Sequence, residues 1–124
     1  MIALDTSSIV AFFAGDEGAD RNAVRHALQV GSAVFPPVVT TELLSNRLVR
    51  TEILAAVLSV PQLEIVDGYW RRAGDLRARL LRLGLKARLA DALVAQSCLD
   101  HDVALVTRDR DFRHFARHAG LRLQ

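Results

Sequence analysis

Short apolar runs alternating with helix-patterned segments constrain this chain more than any other feature. Ile2–Leu4, Ala33–Phe35, Leu63–Val66, Val103–Val106 and Leu121–Leu123 are too short for helices and read as strands. Thr6, Ser7 and Ser8 offer N-caps for a helix through Ile9 to Phe13, which Gly15 and Gly18 break. A second helix is expected over 19–30, stopped by Gly31. Pro36-Pro37 cuts the next strand, and a helix follows Thr40-Thr41 through Glu42 to Arg50. Thr51 caps another through Leu58, and Pro61 ends that region. Gly68–Leu83, Leu89–Asp100 and Phe112–His118 complete the helical segments. Strands separated by helices pair in parallel through crossovers. The expected fold is therefore α/β, with a short parallel sheet.

At 124 residues the chain suits one domain, 1–124, large enough to bury a core without disulfides or a structural metal. Its one cysteine, Cys98, sits in an apolar helical run and reads as a small core side chain. The N-terminus shows neither a basic segment nor a long apolar one, and no apolar run could span a bilayer, so no membrane role is expected. These features fit a reducing cytoplasm.

In parallel sheets the functional crevice lies at the carboxyl ends of the strands. That rule singles out four acids. Asp5 follows the first strand directly, and Asp109 lies just past Val103–Val106. Glu42 and Asp91 stand near helix starts that can face the same edge. Each has a plainer explanation. Asp5 could cap the next helix. Glu42 could answer a helix dipole. Asp91 could be an N-cap, although Leu89-Ala90-Asp91-Ala92-Leu93 is a poor setting for a charge. In Thr107-Arg108-Asp109-Arg110-Asp111-Phe112 the acids could pair with their arginine neighbours, or Asp111 could cap the last helix. Taken together, the acids call for one cause. Carboxylates gathered within about 4 Å repel by roughly 4 kcal/mol per pair at an effective dielectric near 20. A cation removes that penalty. Oxygen-only ligation selects Mg²⁺ or Mn²⁺. His26, His101, His114 and His118 are scattered and read as surface or turn residues.

Net charge is only +2, but arginines cluster. Arg71, Arg72, Arg77, Arg79, Arg82, Lys86 and Arg88 crowd one segment; Arg108, Arg110, Arg113 and Arg117 crowd another. Two readings fit equally: guanidinium forks that grip phosphates, or ordinary solvated helix faces in an arginine-rich sequence.

The chain resembles PIN-domain ribonucleases, most closely VapC-type toxins of toxin–antitoxin pairs. The matching stretches are Ile2-Ala3-Leu4-Asp5-Thr6-Ser7-Ser8, Thr41-Glu42-Leu43-Leu44, Leu89-Ala90-Asp91-Ala92-Leu93-Val94-Ala95 and Leu105-Val106-Thr107-Arg108-Asp109-Arg110-Asp111-Phe112. No one of them is specific; their order and spacing are. The resemblance implies a PIN-like domain with helices on both sheet faces, Mg²⁺ or Mn²⁺ at an acidic cluster, endonucleolytic cleavage of RNA, a cognate antitoxin and homodimers. By motif position Asp5, Glu42, Asp91 and Asp109 take the acidic roles, with Asp111 the weaker alternative to Asp109. Asp5 and Asp91 are expected as direct metal ligands. Glu42 and Asp109 would complete the site through water or as general base, and Thr6 and Thr107 would support it. Leu43, Leu44 and Leu48 could line an antitoxin groove, but core positions suit them better. Two other classes compete. A non-catalytic nucleic-acid-binding module would use the acids only as caps. A phosphohydrolase with Asp5 as nucleophile would need a second Asp where Ser7 stands.

Overall fold

The computed structural model describes all residues, 1–124. Its elements follow the order β1 (Ile2–Leu4), α1 (Thr6–Phe13), α2 (Arg21–Val30), β2 (Ala33–Val34), α3 (Pro37–Ser45), α4 (Thr51–Leu58), α5 (Tyr69–Arg82), α6 (Leu89–His101), β3 (Leu105–Val106) and α7 (Phe112–Ala119). The three strands form a parallel sheet in the order β2-β1-β3. Single parallel bridges extend it on each side, Phe35 with Gln62 and Leu105 with Leu123. The α/β expectation holds, but two expected strands shrink. Leu63–Val66 is reduced to a bridge at Gln62, and Leu121–Leu123 to a bridge at Leu123. Each segment is an edge with one partner, so a short apolar run there gains little by extending.

Right-handed crossovers decide where the helices go. From β1 the chain moves toward β2 and then Gln62, which puts α1–α4 on one face. It then returns past β1 to β3 and Leu123, which puts α5–α7 on the other. Packing agrees: α1 touches α2 and α3, α3 touches α4, and α5, α6 and α7 touch one another. Contact between α3 and α6 joins the two layers.

The core fills the space between sheet and helices. Leu4, Ile9, Val39, Leu43, Leu80, Leu105, Phe112 and Phe115 are fully buried within it. Helix α6 is buried along most of its length, through Ala92, Val94, Ala95, Gln96, Ser97 and Cys98. That explains its lack of a polar face. Cys98 is core as expected; burial, and secondarily the charge of Asp5, pushes its thiol up to about 12. Gly31 ends α2 in the left-handed region at φ 70°, as its type predicts.

Helix α3 departs from expectation. It begins at Pro37, not at Glu42, and ends at Ser45. In sequence, Pro36-Pro37 reads as a break. A proline at the first helical position is in fact favourable, because its amide needs no partner there and its φ is preset. Asn46 then accepts the Leu48 amide at 2.8 Å and turns the chain. Leu43 is core, whereas Leu44 and Leu48 are exposed.

Candidate metal centre

Connections from β1 and β3 leave in opposite directions, so the carboxyl ends of these adjacent strands border a topological switch point. Asp5 is the single residue between β1 and α1. Its amide donates to the Val106 carbonyl at 3.0 Å, which pins it beside the end of β3. Its side chain is buried and does not cap α1. Instead, Oδ2 accepts the Ser7 hydroxyl at 2.9 Å and the Thr107 hydroxyl at 2.8 Å. Each hydroxyl has one proton to give, and both go to Asp5. Their lone pairs are also used: Ser7 Oγ accepts the Arg108 amide and Thr107 Oγ1 the Asp109 amide, each at 3.0 Å. Burial raises the Asp5 pKa; the bonds from Thr107 and Ser7 oppose that without cancelling it, and nearby Asp109 adds to it.

Glu42 enters from α3. Lying beyond the first turn of that helix, it does not answer the helix dipole as the capping explanation required. Thr6 Oγ1 donates to Glu42 Oε1 at 2.8 Å and ties it to the start of α1.

Asp91 is the third residue of α6, with Arg88 at the N-cap position, so it is not an N-cap either. Asp91 is half-buried, and its Oδ2 is buried without any hydrogen-bond donor. Such an oxygen is unusual in a folded protein. Its pKa is pushed up to about 6, first by burial and then by the charges of Asp109 and Asp5; Arg88 opposes the rise, and Asp111 adds to it.

Asp109 turns the loop by accepting the Asp111 amide on Oδ1 at 2.9 Å. Ligand oxygens of Asp91, Asp109 and Asp111 lie within 4.8 Å of one another. The alternating acids and arginines of this loop do not pair among themselves. Arg108 goes to Asp20, while Asp111 meets Lys86 at 3.1 Å and caps nothing.

Asp5, Thr6, Glu42, Asp91 and Asp109 all line one open cleft of about 460 Å³. Asp111 stands beside that cleft rather than in its lining, though nearer to Asp91 than its subordinate rank in the sequence suggested. The donor set is oxygen only, and one buried carboxylate oxygen has no proton to meet. Both facts fit a small hard divalent cation. The four histidines lie outside the cleft lining.

Sequence reasoning missed Ser7 as a site residue, treating it only as a cap. The signal was available: a hydroxyl two residues after a strand-end Asp can fold back onto it. It also missed Asp20, a partner 88 positions from Arg108 that no local pattern reveals. The arginine clusters split: Arg71, Arg82, Arg88, Arg110 and Arg117 are exposed and make no side-chain bond, whereas others are held within the protein. Arg72 pairs with Asp100, Arg77 donates to the Ala87 carbonyl, Arg79 to the His118 carbonyl, and Arg108 to Asp20.

The PIN domain family model matches residues 2–118, and the chain belongs to that family. PIN domains are nucleases, which sets the class of chemistry. Two solved structures share the fold. VapBC2 from Rickettsia felis, bound to a DNA fragment from the promoter of its own genes, superposes with a TM-score of 0.73 at 21% identity, over 100% of this chain and 98% of that one. VapBC-5, a toxin–antitoxin system member from Mycobacterium tuberculosis, gives 0.61 at 21% identity, over 98% and 95%. No curated protein sequence matches the chain. No helix is long and apolar enough to cross a membrane.

Proposed function

We propose that this chain is a metal-dependent endoribonuclease and the toxin of a toxin–antitoxin pair. One observation carries the metal part: Asp91 Oδ2 is buried without a donor inside a cluster of carboxylates. Mg²⁺, or Mn²⁺, is the cation that the oxygen set fits. Such a cation supplies charge to a phosphoryl oxygen and acidity to a bound water. Asp5 and Asp91 would hold it directly, with Glu42 and Asp109 completing the site through water. Ser7 and Thr107 fix the Asp5 carboxylate, and Thr6 fixes Glu42, so neither acid must be ordered when substrate arrives. Glu42 or Asp109 is then placed to take the proton of an attacking water. Asp111, held by Lys86, is the reserve for Asp109.

RNA as substrate follows from the resemblance to VapC-type toxins, and a single-stranded or looped target suits an open cleft. An antitoxin is supported by two apolar hollows that share Ile9 and Phe13 in their linings. One, of about 340 Å³, is lined by Ile9, Leu28, Phe35, Val57 and Val60 among others; the second includes Leu48, Val49 and Ile53. Leu48 thus belongs with the hollow and Leu43 with the core. Homodimerisation in a cytoplasmic setting completes the proposal.

The test is growth. Expression of the wild-type chain alone should arrest cells, and sequencing should show new RNA ends at discrete positions. D91N should do neither. Equal toxicity of D91N would leave the non-catalytic binding module as the better account.

A further inference from the structure

The cleft has a charge problem that its acids create. Asp5, Asp16, Glu42, Asp91 and Asp109 face two cations, Arg88 and Arg108. A polyanionic backbone must come within reach of these carboxylates, and protein cations have to meet its phosphates.

Arg108 is not free to do so. Its Nε lies 3.1 and 3.0 Å from the two Asp20 carboxylate oxygens, and a terminal nitrogen donates to the Asp16 carbonyl at 3.4 Å. Lys86 and Arg77, which precede Arg88 in sequence, are also engaged, whereas Arg82 is exposed but lies outside the cleft lining. Lys86 holds Asp111 at 3.1 Å, and Arg77 holds the Ala87 carbonyl at 2.9 Å. The Arg88 guanidinium makes no hydrogen bond or ion pair, and the residue is exposed. Its stem is nevertheless fixed. Arg88 occupies the N-cap position of α6 with extended backbone, and its carbonyl accepts the Ala92 amide at 3.0 Å. It is close enough to Asp91 for its charge to act there, yet does not bond to it.

We propose that Arg88 is the substrate-binding arginine of this cleft, taking a backbone phosphate of single-stranded RNA through its free guanidinium beside the carboxylate cluster. The assignment rests on the nuclease reading of the same cleft. An arginine suits the task because its planar fork matches two phosphate oxygens. A cation already committed to Asp91 would neutralise the acid that the metal needs; Arg88 leaves it unpaired.

Binding of a fluorescently labelled single-stranded RNA, followed by anisotropy across a salt series, tests this in a D91N background. That background stops cleavage and removes the charge through which Arg88 could act indirectly. D91N/R88A should bind about tenfold more weakly at low salt, with a salt slope smaller by roughly 0.7, the loss of one phosphate contact to a single strand. D91N/R88K should keep the slope and recover part of the affinity. D91N/R82A, altered at an exposed arginine outside the cleft, should match D91N. Unchanged affinity and slope in D91N/R88A would overturn the assignment, and so would a loss matched by R82A. Wild-type cleavage of RNA separates the two claims: if it occurs while R88A changes nothing, only Arg88 is misassigned. If the wild type cuts no RNA and D91N binds none, both readings fall.

Discussion

Replacing Asp91 by asparagine should stabilise the metal-free protein while removing its activity. Folding raises the Asp91 pKa from 3.8 to about 6. At ~1.36 kcal/mol per pH unit, a rise of about two units sets an upper limit near 3 kcal/mol for the strain of ionising it. The residue is half-buried, so solvent screening reduces this to about 1–2 kcal/mol. The sign follows from the raised value. The folded state keeps the Asp91 proton to higher pH than the unfolded chain does. The stability this provides is complete below about pH 4 and is lost as pH rises through about 6. D91N should therefore melt roughly 4–8 °C above wild type at pH 7 in EDTA, for a chain of this length. The gap should close below pH 4. Calorimetry at the two pH values, with EDTA throughout, reads both effects. Adding Mn²⁺ should raise the melting temperature of wild type and leave D91N nearly unmoved. A D91N protein less stable than wild type at pH 7, or a gap that persists at pH 3.5, would refute the claim that uncompensated charge sits at Asp91.

Two further outcomes follow from the hydrogen-bond network. T107V removes a donor to Asp5 and the acceptor of the Asp109 amide, so chemical denaturation should show a loss of about 1–3 kcal/mol, with reduced cleavage. D20N removes the carboxylate charge that pairs with Arg108. Burial works against ionisation of Asp20, but the Arg108 bond and charge prevail and its pKa is lowered, so its contribution is present above about pH 4 and lost as pH falls through the lowered value. Denaturation at pH 7 should show D20N weaker by about 1–2 kcal/mol, and the difference should shrink toward pH 3.

Much of this site was legible in the sequence because strand ends and helix starts are local signals. A strand that ends on an acid, as Leu4-Asp5 does, fixes where that acid lies once the sheet is parallel. An acid in the apolar start of α6 fixes its face. Legibility ended where packing or distance decides. Pro37 reads as a breaker or as a first helical residue, and only the surrounding fold chooses. The bridges at Gln62 and Leu123 depend on how far each edge can pair. Whether an arginine is free is set by partners such as Asp20 and Asp100, which lie 88 and 28 positions away. Composition alone could not distinguish Arg88 from Arg108.

The most direct test of the central claim is side-by-side digestion of single-stranded RNA and DNA by the purified chain, with Mg²⁺, Mn²⁺ or EDTA, in wild type and D91N. A metal-dependent ribonuclease cleaves RNA alone, only with a divalent cation, and only as wild type. Cleavage that survives EDTA, or that D91N performs as well as wild type, would contradict the claim.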